Sequence, residues 1–269
     1  MEKISVLLSI YINSRLDHFI ECMDSINNQT LIPDEIIIIQ DGAISFNLDL
    51  FLLKYKKLNF LIVKNKINLG LPLSLNKGLK KCNNEIVFRI DSDDICLPNR
   101  FELQLQRFLK NENLVVLGCN AMLIDNNSVR INSERIMPQG NLKIKKIMPY
   151  KNPINHPSVV YKKSAVLFVG GYSNVYLYED WYLWFKLSLL KNVEFENMSD
   201  KLIKYRIRTF NDRKGFKIVR SEFKFYKLLL KQGYIKRHVF YLNITIKFLV
   251  RLMPGFFYKF FKHNFDKLS

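Results

Sequence analysis

Four short runs of β-branched and apolar residues recur through the first ninety positions: 4–10 (ISVLLSI), 35–40 (EIIIIQ), 59–64 (NFLIVK) and 85–90 (EIVFRI). Between them lie longer segments, 15–28, 45–57 and 71–82, whose apolar residues return at helical spacing. A strand with one wet face alternates apolar and polar residues, whereas a strand buried on both faces is apolar throughout. Runs of the second kind, alternating with helices, predict an α/β fold: a Rossmann-like, mostly parallel sheet flanked by helices. Sheets of this kind bind ligands in the crevice beyond the carboxyl ends of their strands. The polar residues that follow each run are therefore where chemistry is expected.

Beyond residue 99 the pattern changes. A helix is expected at 99–111, a strand at 114–124, a turn at Asn126-Asn127 and a return strand near 128–136. Residues 139–156, rich in Pro and Lys, are expected to be irregular. A strand at 157–162, a short helix and a turn at Gly170-Gly171 follow. Residues 178–191 (YEDWYLWFKLSLLK) predict an amphipathic helix opening with two acids, which suits the positive end of the helix dipole. Strands near 193–197 and 201–208 complete the body, and 209–215 (TFNDRKG) predicts a linker.

Charge divides the chain as clearly as pattern does. The formal net charge is +18, yet from residue 201 onward there are 18 Lys or Arg against three acids (Asp212, Glu222, Asp266), a net of +15. The first 200 residues are close to neutral. Helices are predicted at 216–232 and 235–262, with an apolar face of Phe223, Tyr226, Leu230, Leu242, Ile246, Leu249, Met253, Phe256, Phe257 and Phe260. Lys247, Arg251, Lys259 and Lys262 interrupt that face, and Pro254 should kink it. A basic amphipathic extension of this kind suits an anionic membrane surface, where each base contributes about 1 kcal/mol. A nucleic-acid-binding module is the competing use of such charge, but no recognised nucleic-acid motif is present and the aromatics lie on the apolar face. No run approaches the roughly 18 uncharged apolar residues of a membrane span. The N-terminal run is too short for a secretory signal. Cys22, Cys82, Cys96 and Cys119 form no CxxC pair, so neither a zinc site nor a redox motif is indicated. Buried, reduced thiols in a cytoplasmic protein are expected instead.

The sharpest local feature is Asp91-Ser92-Asp93-Asp94, directly after the fourth run. Two close carboxylates repel by about 4 kcal/mol at an effective dielectric near 20. A divalent cation relieves that repulsion, and oxygen-only ligands suit Mg2+ or Mn2+. Asp41-Gly42 follows the second run, and Asn68, Gly70, Asn76 and Gly78 surround the start of the third helix, so all ring one sheet edge. Glu179-Asp180 lies about ninety residues further on. A carboxylate on a separate element is what a general base opposite a metal requires. Trp181, Tyr182 and Trp184 follow it as core aromatics, any of which could also stack on a sugar ring.

SVLLSIY, the Asp41-Gly42 turn, NLGLPLSLNKGL, IDSDD, NHPSVVY with GGY, and YED-W-LW stand in that order over about residues 4–208. This ordered set resembles a family 2 glycosyltransferase of the bacterial surface-polysaccharide type. The resemblance implies the GT-A fold and an inverting enzyme that moves a sugar from a nucleotide-sugar, most simply a UDP-sugar, to a hydroxyl. The implied acceptor is a growing lipid-linked or oligosaccharide glycan, as in capsule, O-antigen or exopolysaccharide. The implied location is the inner face of the cell membrane, with the enzyme peripheral to it.

The same resemblance divides residues 1–208 into a nucleotide-binding half, 1–98, and an acceptor half, 99–208, followed by a basic tail, 209–269. It implies that Ser9, Tyr11 and Asp41 line the base and ribose pocket, with Asn68, Gly70 and Asn76 beside the nucleotide. Asp91 would bind ribose or metal, Asp93 the metal, with Asp94 in support. Asp180 would be the general base and Glu179 would orient the acceptor. His156 and Gly171 would lie near the donor sugar or acceptor, and Arg206 would steady the departing diphosphate. Two departures stand out: Ser9-Ile10-Tyr11-Ile12-Asn13 replaces the family's usual Pro with adjacent Tyr-Asn, and Gln40 replaces an acid before Asp41. The signature of processive synthases is absent. A metal-dependent nucleotidyltransferase would normally carry a glycine-rich phosphate loop after the first strand, and residues 9–20 contain no glycine.

Overall fold

The four apolar runs form β1 (Ile4–Ile10), β2 (Glu35–Asp41), β3 (Phe60–Asn65) and β4 (Ile86–Arg89). This computed structural model describes residues 2–207 and 216–252. The four strands are parallel neighbours in the order β3-β2-β1-β4. α1 (Leu16–Asn27), α2 (Leu48–Leu52) and α3 (Leu71–Leu79) make the crossovers. Both sheet faces are covered, as the runs require. Val6, Leu8, Ile10, Ile36 and Ile38 pack with Phe19, Met23 and Ile26 of α1. Leu7 and Ile39 meet α3 on the other face, so closely that a Cβ on Gly78 would lie 2.4 Å from Leu7 Cδ1.

The rest of the body comprises β5 (Ile95–Cys96), α4 (Arg100–Leu109), β6 (Leu114–Ile124), β7 (Arg130–Arg135), α5 (Asn141–Ile147), a 3-10 turn (His156–Ser158), β8 (Val160–Lys162), α6 (Lys163–Phe168), α7 (Glu179–Ser188) and β9 (Glu194–Arg206). β8 runs antiparallel to both β4 and β6 and so joins the parallel strands to the remainder. β9 lies parallel to β6, β5 pairs antiparallel with β9, and β7 with β6. All nine strands form one sheet, ordered β3-β2-β1-β4-β8-β6-β9-β5 with β7 paired to β6.

Several sequence expectations are corrected here. Residues 139–156 contain α5, entered through Gly140 at φ +79°. Its three lysines and single buried residue, Ile144, leave little hydrophobic period to read. The helix expected over 45–57 is regular only over Leu48–Leu52. The two expected strands after 193 are one, β9, whose register against β6 shifts around Asn120. Asn120 bridges the irregularity by donating from Nδ2 to the Ser199 carbonyl at 2.9 Å. Of the strand expected at 157–162, the first part is the 3-10 turn.

The chain divides into two units, 1–207 and 208–269. In the second, α8 (Phe216–Lys231) and α9 (Arg237–Leu252) pack on each other. Tyr226 Oη donates to Asn243 Oδ1 at 3.1 Å, and Phe223 meets Phe240 edge-on. Among the described residues no helix is long and apolar enough to cross a membrane. The linker expected at 209–215, and Met253, Pro254, Phe256, Phe257, Lys259, Phe260 and Lys262, lie outside the described residues. The four cysteines are free and buried.

Candidate active site

The strand order turns at β1, with β2 and β3 on one side and β4 on the other. At this switch point the carboxyl ends deliver Tyr11 after β1, Asp41 at the end of β2 and Asp91 two residues after β4. Asp91, Asp93 and Asp94 place carboxylate oxygens within 4.8 Å of one another. Asp91 and Asp93 are half-buried, whereas Asp94 is fully buried. Asp94 Oδ1 accepts the Arg206 backbone N–H at 2.7 Å, and its Oδ2 is buried with no hydrogen-bond partner among the described residues. Burial, reinforced by the charges of Asp93 and Asp91, pushes the Asp94 carboxyl well above its ordinary range. An orphaned buried oxygen beside two like charges fits an oxygen-liganded divalent cation.

The second acid pair opens α7. Asp180 is buried, and its Oδ2 accepts from Asn152 Nδ2 at 2.7 Å. Burial raises the pKa of both carboxyls, that of Glu179 to about 7 with further help from Asp180. The Arg89 guanidinium pulls both back down, and the Asp91 charge pushes Glu179 up. The two acid stretches thus lie within electrostatic reach of each other, and one buried arginine acts on both.

A latch secures the loop before α7. Asn76 on α3 donates from Nδ2 to the Tyr172 carbonyl and accepts the Tyr172 N–H at Oδ1, both at 2.7 Å. Gly171, at φ +65°, allows the approach, because a Cβ there would sit 2.3 Å from Asn76 Oδ1. His156 Nε2 pairs with Tyr172 Oη at 2.9 Å, and its ring meets Trp184 edge-on. Burial, with Arg89 nearby, keeps His156 well below its usual pKa and hence neutral.

Two of the expected ligand residues, Arg206 and Asp41, lie in internal hydrogen-bond networks. Arg206 is about 4% exposed and every guanidinium nitrogen is engaged. Nε donates to the Asp93 carbonyl at 2.8 Å, Nη1 to the Asp125 carbonyl at 2.7 Å, and Nη2 to Glu21 Oε2 at 2.6 Å and Ser128 Oγ at 3.1 Å. In this structure it anchors the acid loop, with four of its five N–H donors engaged there. Asp41 is buried too, and its Oδ1 accepts from Asn65 Nδ2 at 2.9 Å and Leu69 N at 2.8 Å, its Oδ2 from Gly70 N at 2.9 Å. It organises the 65–70 segment from within. Asn68 Nδ2 donates to the Asp41 carbonyl at 3.3 Å, and Asn76 is committed to the latch. Ser9 Oγ donates to the Ile39 carbonyl at 3.3 Å, and the Tyr11 N–H donates to Ser14 Oγ at 3.0 Å. Just past them lies an open depression of about 720 Å3 lined by residues 12–17, Ile20 and Ser45.

Residues 5–167 match the model of the family described as Glycosyl transferase family 2. The chain is a family 2 glycosyltransferase. This glycosyltransferase is 36% identical over 264 residues to UDP-Gal:alpha-D-GlcNAc-diphosphoundecaprenol beta-1,3-galactosyltransferase of Escherichia coli, covering 96% of this chain and 95% of that one. It is 35% identical over 258 residues to Amylovoran biosynthesis glycosyltransferase AmsE of Erwinia amylovora, covering 93% and 94%. Both relatives are bacterial glycosyltransferases, and AmsE is one of polysaccharide biosynthesis, the type its motifs resemble. Among solved structures, S. aureus TarS in complex with UDP-GlcNAc superposes with a TM-score of 0.64 at 18% identity, covering 85% of this chain and 66% of that one. That likeness carries the GT-A fold.

Two residues beside the acid pairs escaped sequence reasoning, Arg89 and Asn152, and Tyr172 stood in the GGY motif without its part in the latch being read. Arg89 did leave a signal, being the one base inside an otherwise apolar run, and a buried strand keeps a charge only where it has a partner. Asn152 left none, since its partner is remote in sequence.

Proposed function

We propose that the protein transfers a sugar, with inversion, from a nucleotide-sugar to a hydroxyl of a growing, lipid-linked surface glycan. The carrying observation is the convergence of the two acid stretches around Arg89. The relative that acts on UDP-Gal and a diphosphoundecaprenol acceptor supports a UDP-sugar donor and a lipid-linked acceptor.

Asp93 and Asp91 would hold Mg2+ or Mn2+, with Asp94 completing the acidic cluster. Such an ion, when bound, offsets charge on the departing nucleoside diphosphate. Asp180 takes the acceptor hydroxyl proton as the hydroxyl oxygen forms its bond to the anomeric carbon. The bond from that carbon to the diphosphate breaks in the same step, its electron pair leaving with the diphosphate. A single displacement inverts the centre. Burial raises Asp180 toward working pH, while Asn152 and Arg89 keep the ionised form accessible. Glu179 orients the acceptor. Tyr11 and Ser9 flank the base and ribose, and neutral His156, fixed by Tyr172, lines the sugar end together with Gly171. The basic α8–α9 unit holds the enzyme on the inner, anionic face of the cell membrane, where lipid-linked acceptors reside.

The test is a hydrolysis and transfer screen across UDP-, GDP- and dTDP-sugars with Mn2+, read by release of nucleoside diphosphate. Turnover of one donor class that Asp180→Asn abolishes is expected. No turnover of any donor above that variant's background would overturn the reading.

A further inference from the structure

Arg89 belongs to no motif, yet it holds the centre of the site. It ends β4 two positions before Asp91, and its side chain is about 1% exposed. Its backbone is pinned on both sides: the N–H donates to the Val159 carbonyl, and its own carbonyl accepts from Arg100 Nη2, each at 2.9 Å. The side chain, by contrast, has a single anchor among the described residues, an ion pair from Nη2 to Asp91 Oδ1. Nε and Nη1 are buried without hydrogen-bond partners among the described residues. Buried donors are nearly always met, because leaving one unmet costs its desolvation. Folds retain such local conflicts chiefly at working sites.

The geometry points to Arg89 as a positioning residue of the acidic cluster, its ion pair fixing the Asp91 carboxylate in one orientation. The same buried charge also bears on the Glu179–Asp180 pair. This inference rests on the metal and base roles proposed above. Besides Arg89, the groups acting on that pair are Asn152 and the Trp181 N–H as donors to Asp180, Arg135 from β7, Asp91, and Tyr172 from the preceding loop. Of the groups named, Arg89 and Arg135 are positive, and Arg89 acts on both carboxyls in the direction of ionisation.

Two substitutions separate orientation from charge. Arg89→Lys keeps a cation but loses the planar fork that aims Asp91. By charge alone, a cation beside a cation site opposes the metal, so only lost orientation makes this variant bind more weakly. Mn2+ binding, followed by the electron paramagnetic resonance of the free ion without substrate, should weaken roughly tenfold or more, as for other residues that orient ligands. Unchanged or tighter binding overturns the proposal. Arg89→Met removes the charge, so the acid limb of the kcat/KM profile should move roughly half a unit or more to higher pH, while Arg89→Lys keeps it in place. An unmoved limb in Arg89→Met, with only a lower melting temperature, marks a structural role and overturns the proposal. Should Arg89→Met fail to fold, Arg89→Gln replaces it. If the parent enzyme binds Mn2+ but turns over no nucleotide-sugar, the proposed function fails, and the orientation role still stands or falls on Arg89→Lys binding.

Discussion

At the start of α7 Asp180 is buried and Glu179 half-buried, and this fixes how each responds to pH. With its pKa at about 7 against an ordinary 4.5, the folded Glu179 retains a proton that the unfolded chain releases. Stability therefore falls as pH rises from about 4.5 to about 7, and the full cost remains above that window. Glu179→Gln should raise the melting temperature at pH 8 and leave it nearly unchanged at pH 4.5, as read by calorimetry. Asp180→Asn should lower kcat by roughly 100-fold or more in a protein that still unfolds cooperatively, the usual scale for a lost general base. At this scale the sequence made the acids legible, because clustered carboxylates at strand ends are conspicuous. It did not reveal what holds them. Asp41 is tied to residues 24 to 29 positions away, and Arg206 to partners 78 to 185 positions away.

The elements tell a similar story of local legibility and remote surprise. The first four strands could be read from their apolar runs because both faces are buried, and period two gives way to continuous hydrophobicity. β9 was read as two strands because Ser199 and Asp200 interrupt its pattern, and the bridge that carries the sheet across them comes from Asn120, far back in the chain. α3 and the loop before α7 likewise depend on the Asn76 latch. Asn76→Ala, which removes two 2.7 Å hydrogen bonds, should cost about 2 kcal/mol at roughly 1 kcal/mol each, measured by urea unfolding. Gly171→Ala should cost at least as much, since it adds a left-handed backbone penalty to the clash with Asn76.

For the whole molecule, charge was the most legible property. The basic excess is concentrated after residue 200, and on α8 and α9 Phe216, Tyr241, Leu242, Ile246, Phe248 and Leu249 are exposed among lysines and arginines. Full-length protein should therefore float with liposomes containing phosphatidylglycerol and not with pure phosphatidylcholine. Binding should fall sharply at 1 M salt, where the screening length is about 3 Å. Flotation with both lipids alike would sink the electrostatic account.

Arg206 also imposes an order on synthesis. It ends β9, 112 positions after Asp94, and is the anchor of the acid loop. At roughly 5–20 residues per second, a translating ribosome must run on for about 6–22 s after Asp94 is joined before that anchor exists. A nascent chain therefore cannot lock its acid loop until β9 is complete.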